Sequence, residues 1–150
     1  MGVGKTTTGR ALSAATALPL VDMDDILIAR FGPISRQFER DGERVFRARE
    51  RALLGELCDG HARVLSTGGG VWVSELHRRW LREHYFTVVL TVPFEQLQQR
   101  ALAAGRPLWD DQVHARYLER EAAYRDADLV LAADRPTEEL VEEILRCWSA

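Results

Sequence analysis

Residues 2–12 read "GVGKTTTGRAL", a glycine-rich turn that runs without interruption into residues at helical spacing. Phosphate-binding loops of the form G-x-x-x-x-G-K-[ST] wrap phosphate in backbone amides, reach its far oxygens with Lys and hold magnesium with Ser or Thr. Gly4, Lys5 and Thr6 supply the G-K-T, and the first Gly of the pattern would fall two residues before Met1. Ala11, Leu12, Ala15 and Leu18 follow the period of an amphipathic helix, so the helix opens directly from the loop. A helix N-terminus with flexible glycines in front of it favours an anion through free N–H groups and the helix dipole. Gly2, Val3, Gly4, Lys5, Thr6 and Thr7 are therefore candidate phosphate-cradle residues, with Thr6 a candidate magnesium ligand. A frayed Gly/Thr-rich terminus is the competing reading of this stretch taken alone.

The rest of the chain alternates strand and helix signals. "LPLVD" reads as a short buried strand and "DDILIARFG" as a helix stopped by Gly32 and Pro33. "ISRQFERDG" is a helical segment closed by Gly42, and "ERVFRARERALLGEL" is a longer helix carrying Val45, Phe46, Leu53, Leu54 and Leu57. "ARVLSTGGG" is a strand ending in three consecutive glycines, and "SELHRRWLRE" is a helix. "FTVVLTV" is a β-branched strand, and "PFEQLQQRALAAG" is a helix begun by Pro93 and ended by Gly105. A charged helix through Tyr124, the strand "DLVLAA" and a helix from Thr137 to Trp148 complete the chain. The alternation predicts an α/β fold, a parallel sheet with helices on both faces, in one domain over residues 1–150. Ligands of such sheets bind beyond the carboxyl ends of the strands. Here those positions hold Asp22 to Asp25, Gly68 to Gly70 and Pro93.

Composition narrows the function. With 46% hydrophobic and 29% charged residues the chain lies outside the disordered regime. A net charge of −3 gives no electrostatic footprint for nucleic acid. Cys58 and Cys147 have no metal or disulfide spacing, and no apolar run approaches the ~18 residues a membrane span needs. No signal peptide is legible, so a cytoplasmic enzyme with neither nucleic-acid nor membrane partners is expected.

Three further constellations could carry chemistry. In "VDMDD", Asp22 and Asp24 stand two apart after a strand, where one can face a metal and the other can accept a proton from a substrate hydroxyl. The alternative is an N-cap for the next helix supplied by Asp24 or Asp25. Gly68, Gly69 and Gly70 would let a substrate lie against bare backbone, and a plain turn seldom needs all three. Arg47, Arg106 and Arg120 could hold carboxylate or phosphate through planar guanidinium groups, although most arginines in any chain are solvated. His61, His77, His84 and His114 show no metal-ligand spacing, and Ser66 lacks the context of a hydrolase nucleophile.

Taken together, "GVGKTTTGRAL", "LPLVDMDDILIARFG", "ISRQFERDGERVFRARE", "VLSTGGGV", "RPL" and "REAAYRDADLVL" resemble the shikimate kinase family in order and spacing over almost the whole chain. The resemblance implies a three-layer P-loop kinase fold, ATP and Mg²⁺ as cofactors, and transfer of the γ-phosphate to the 3-hydroxyl of shikimate on the route to chorismate and aromatic amino acids. A monomer is implied. Lys5 would hold the β/γ-phosphates, Thr6 and Asp22 the magnesium, and Asp24 the attacking hydroxyl. Arg47 and Arg120 with the backbone of Gly68, Gly69 and Gly70 would hold shikimate. Arg106 would close from a lid onto the transferring phosphate, while Arg135 and Arg100 would lie near adenine. Two departures stand out: the stretch from Arg106 to Arg120 is shorter than is usual, and the family's first strand, central in its sheet, is missing along with the first loop glycine. That loss is expected to leave unpaired ladder groups and an open core. A kinase of another polyol acid, such as gluconate, and a shikimate-binding relic without turnover are the alternatives.

Overall fold

The computed structural model describes residues 3–103, 117 and 120–149. α1 (Lys5–Thr16) leads to β1 (Leu20–Asp22), α2 (Met23–Phe31) and α3 (Ile34–Leu57). β2 (Val64–Ser66), a 3₁₀ turn (Val71–Val73) and α4 (Glu75–His84) follow. β3 (Val88–Thr91), α5 (Phe94–Ala103), β4 (Leu129–Ala132) and α6 (Thr137–Trp148) complete the order, with residues 120–124 helical before β4.

Every predicted strand forms, and the pairing is parallel as the alternation requires. β1 pairs with β2 in the register Leu20↔Val64 to Asp22↔Ser66, and β3 pairs with β4 from Val88↔Leu129 to Thr91↔Ala132. The expected single sheet is instead two separate pairs, because no described strand bonds the inner edges of β2 and β3. Strand side chains alternate between faces, and the alternation sorts the core into two layers. Val21, Leu65 and Val89 pack with Met23, Leu27, Phe46, Leu54 and Leu81, contributed by α2, α3 and α4. Val88, Leu90 and Leu131 pack on the opposite face with Leu12 of α1 and Leu140 and Ile144 of α6.

The turns are set by glycines at positive φ. α2 stops at Gly32, φ 86°, whose N–H bonds Ile28 O. Inside α3 the chain breaks helical geometry at Gly42, φ 78° and ψ 165°, where the sequence predicts an end to one segment and a start to the next. Phe38 and Phe46 meet across this break with ring centroids 4.6 Å apart. Gln37, fully buried, ties the corner together by donating to Leu27 O (3.2 Å) and Gly32 O (2.7 Å) and accepting from Arg49 (3.1 Å). At the other end, Asp128 Oδ2 accepts from both Thr87 N (2.8 Å) and Thr87 Oγ1 (2.5 Å) and locks the start of β3 to β4.

The break at Gly42 aims the helical face that carries Arg47. A residue with a Cβ is strained at these angles, so Gly42→Ala is expected to destabilise the fold by ~1–3 kcal/mol in urea unfolding. A change within experimental error would show that the corner does not depend on this conformation.

Candidate functional site

The loop before α1 is built for backbone exposure. Gly4 is left-handed at φ 90°, yet no atom lies within 4 Å of where its Cβ would sit, so glycine is required for conformation and not for room. The first helical bond runs from Thr8 N to Gly4 O at 2.9 Å. The amides of Lys5, Thr6 and Thr7 therefore have no helical acceptor among the described residues, and no side chain caps them. With no acidic residue in the first turn and Lys5 beside it, this end of the helix fits the anionic oxygens of a nucleotide phosphate chain.

Thr6 Oγ1 donates to Asp22 Oδ2 at 3.5 Å. A hydroxyl next to a carboxylate is a hard-oxygen pair of the kind Mg²⁺ accepts, with phosphate oxygens and waters filling its other positions. Among the described residues there is no cluster of three or more His, Cys, Asp or Glu that could hold a metal ion. The other oxygen of Asp22 has a separate duty. Asp22 Oδ1 accepts from Asp24 N at 3.0 Å and caps α2, so the cap is Asp22 and neither Asp24 nor Asp25. The Asp24 carboxylate is thereby left free to face the next constellation.

That constellation is the triple glycine. The loop after β2 passes close to four side chains, and no two of its glycines face the same one. A Cβ on Gly68 would lie 3.1 Å from Asp24 Oδ1 and 3.3 Å from Glu50 Oε1. One on Gly69 would lie 3.4 Å from Arg120 Nη1, and one on Gly70 would overlap the Arg47 guanidinium. Bare backbone at 68–70 thus has a geometric cause: two acids and two arginines converge on one strip of main chain. Arg120 is brought there from far along the chain, because the Trp72 indole N–H donates to Ala123 O at 2.8 Å and holds the 120–124 helix against the loop.

Glu50 is the site-lining residue that the sequence reading missed. It is 2% exposed and accepts from Arg47 Nη1 at 2.5 Å, while Glu43 holds the opposite side of the same guanidinium at 3.1 Å. The signal was present: Glu43, Arg47 and Glu50 lie at i, i+4 and i+7 on one helix face, a spacing that clamps an arginine between two acids. Burial would lower the Arg47 pKa, but the bonds to Glu50 and then Glu43 outweigh it and the net direction is up. Burial raises the Glu50 carboxyl, and Arg47 only partly opposes this. Asp24 is also raised, by burial first and by Asp22 second, with Lys5 pulling the other way.

The structure therefore brings together Asp22, Asp24, Arg47, Gly68, Gly69, Gly70 and Arg120, with Lys5, Thr6 and Thr7 at the neighbouring helix start and Val3 in the loop before it. It does not bring in Arg135, whose guanidinium pairs with Glu143 of α6 and which contacts none of the other candidates among the described residues. Gly2 and Arg106 lie outside the described residues, as does the side chain of Arg100.

A helix-start phosphate cradle next to a hydroxyl–carboxylate pair, facing an acid and two arginines on a glycine wall, defines a P-loop phosphotransferase acting on a small anionic acceptor. The profile described as "Shikimate kinase" matches residues 1–149. A shikimate kinase of Ruegeria pomeroyi is 37% identical over 154 residues, covering 97% of this chain and 79% of that protein. The crystal structure of the Aquifex aeolicus shikimate kinase superposes with a TM-score of 0.87 at 34% identity, covering 99% of this chain and 91% of that one. The Acinetobacter baumannii enzyme, solved in complex with shikimate, gives 0.86 at 31% identity, covering 99% and 88%. The chain belongs to the shikimate kinase family, whose members are ATP-dependent phosphotransferases.

Two outcomes test this geometry. Gly70→Ala should displace the Arg47 guanidinium and raise KM for a carboxylate-bearing acceptor by roughly tenfold, the scale of a lost charge-assisted hydrogen bond, while leaving KM for ATP unchanged. An equal rise in both constants would point to general misfolding. The upward shift of Asp24 fixes the sign of the pH profile: a base is active when deprotonated, so kcat/KM falls as pH drops through the raised pKa. The acidic limb should therefore lie above the ordinary aspartate value of about 3.9 and disappear in Asp24→Asn along with turnover. An acidic limb at or below that value would remove Asp24 as its source.

Proposed function

We propose that this chain transfers the γ-phosphate of ATP to the 3-hydroxyl of shikimate, as one catalytic domain over residues 1–150 working as a cytoplasmic monomer. The observation that carries this reading is the glycine wall at 68–70, against which Asp24, Arg47 and Arg120 converge from three separate elements. A wall of this kind suits a flat, hydroxylated ring with one carboxylate. Two guanidinium groups orient the carboxylate, and one carboxylate faces the opposite edge.

Lys5 and the amides of Gly4 to Thr7 bind the β- and γ-phosphates, and Val3 shapes the same loop. Thr6 and Asp22 are the residues that would hold Mg²⁺. Mg²⁺ and ATP, when bound, supply the phosphoryl group and neutralise the charge that spreads over its oxygens. Asp24 hydrogen-bonds the acceptor hydroxyl and takes its proton as the oxygen attacks. Arg47, held in place by Glu43 and Glu50, and Arg120 fix the ring so that the 3-hydroxyl points at the phosphate, which is the positioning component of catalysis. Arg106 neutralises the transferring group, and Arg135, paired with Glu143 apart from the acceptor residues, supports the adenine end of the nucleotide. A net charge of −3 supports a small-molecule acceptor over nucleic acid, and no helix among the described residues is long and apolar enough to cross a membrane.

The test is a coupled ADP-release assay over shikimate, quinate and gluconate. Shikimate should give the highest kcat/KM, and a gluconate preference would overturn the acceptor assignment. Lys5→Met should reduce turnover by at least about a hundredfold, the scale of removing one preorganised charge from a transition state, while calorimetry still shows shikimate binding. Unchanged turnover in Lys5→Met would reject the phosphate loop, and shikimate binding without any turnover in the unaltered chain would leave a binding protein.

A further inference from the structure

The two arginines beside the glycine wall are located by different means. Arg47 is clamped by acids of its own helix, Glu43 and Glu50. Among the described residues no acid pairs with the Arg120 guanidinium, so its place against Gly69 depends on how the backbone that carries it is held. That backbone is the 120–124 helix and the turn after it, in which Asp126 N donates to Ala123 O and Ala127 N to Tyr124 O, each at 3.2 Å. Ala123 lies three residues beyond Arg120, on the same helix face. Ala123 O also accepts from the Trp72 indole, and Arg78 of α4 joins the same two segments at a second point.

The glycine wall runs straight into the 3₁₀ turn, where Val71 N donates to Gly68 O at 3.1 Å and Val73 N to Gly70 O at 3.4 Å. Wherever that turn is held, the wall is held with it. A helical turn leaves its last carbonyls without partners of its own. Arg78 Nη1 supplies them, donating to Trp72 O at 3.0 Å and to Val73 O at 2.8 Å. Another edge of the same guanidinium meets the far segment: Nε stands 2.9 Å from Asp126 Oδ2, a contact of charges without an aligned N–H bond. One planar group therefore grips the turn after the wall and the turn after Arg120 together, which a rigid fork can do and a point charge cannot. Half of the Asp126 side chain is exposed, so the ion pair adds little to global stability. Its consequence is geometric, because a displacement of about 1 Å in a group that positions substrate can cost far more in rate than in folding energy.

We propose that Arg78 is a positioning residue for the acceptor: by joining the turn at 71–73 to Asp126, it sets the gap between Gly69 and the Arg120 guanidinium. The proposal rests on the reading that Arg120 holds the acceptor carboxylate. Arg78 acts through Arg120 and the wall, so its influence falls on the acceptor. The phosphate loop leads into α1, which takes part in none of these bonds, so ATP binding is not affected.

Steady-state kinetics with shikimate and ATP on single variants, and on their pairs with Arg120→Gln, test this. Arg78→Met should raise KM for shikimate roughly tenfold, the scale of a lost charge-assisted hydrogen bond, and leave KM for ATP unchanged. Arg78→Lys keeps the charge without the fork, and its KM should fall between the two. Asp126→Asn should raise KM for shikimate about two- to fivefold, the scale of an exposed ion pair, while the melting temperature drops by no more than about 4 °C. In the Arg120→Gln background, Arg78→Met should change KM for shikimate by less than about twofold, because no guanidinium remains to be placed. A full tenfold rise on top of Arg120→Gln would overturn the proposal, as would an equal rise in both KM values or a loss of stability with both constants unchanged. If Arg120→Gln raises KM for shikimate and Arg78→Met does not, the proposal fails and the acceptor reading stands. If Arg120→Gln itself leaves that KM unaltered, the acceptor role of Arg120 falls and the proposal falls with it. Should Arg78→Met fail to fold, Arg78→Lys and Asp126→Asn taken through the same pairing with Arg120→Gln decide the matter.

Discussion

The pairing of Arg47 with Glu50 against the backbone of Gly68 to Gly70 is the constraint around which the site is arranged. A carboxylate that is 2% exposed is unfavourable unless a cation and further hydrogen bonds meet it, and a buried ion pair is seldom retained for stability alone. Here the pair holds one guanidinium in a single position, flanked on its outer side by Glu43, and that position is where a Cβ on Gly70 would have to be. The glycine wall, the break at Gly42 and the buried Gln37 corner all make room for, or aim, this one charged group.

The phosphate side follows a different physical logic. At the start of α1 the first-turn amides have no helical acceptor among the described residues, Gly4 adopts a left-handed conformation, and the nearby hydroxyl and carboxylate meet at 3.5 Å. The acceptor side is pre-assembled through side-chain pairs, whereas the nucleotide side is a set of unsatisfied donors and a sparse oxygen pair. Both face the same strip because β1 and β2 are parallel, so Asp22 and Ser66 end at the same edge and their following loops emerge side by side.

Much of the fold was legible because its signals are local. Glycine and proline punctuation marked the end of α2 at Gly32 and the break at Gly42, and β-branched runs marked β3 and β4. Asp22, Asp24, Arg47, Arg120 and the three glycines were legible as candidates from residue type and from the order in which they occur. Glu50 was not, although its spacing from Arg47 was a usable sign, because acids on a charged helix are ordinarily solvated and only packing reveals a buried one. Nor could spacing tell which aspartate caps α2, since Asp22, Asp24 and Asp25 are all chemically able.

What the sequence by itself determined is the succession of elements and the inventory of reactive groups, because helix periods, strand runs and turn residues act over a few neighbours. What only the tertiary structure decided is which of those groups meet. Arg120 reaches Gly69 through a hydrogen bond between Trp72 and Ala123, Arg135 turns instead to Glu143, and the four described strands pair as β1 with β2 and β3 with β4. Such encounters depend on main-chain paths separated by scores of residues, and no local pattern encodes the distance between them.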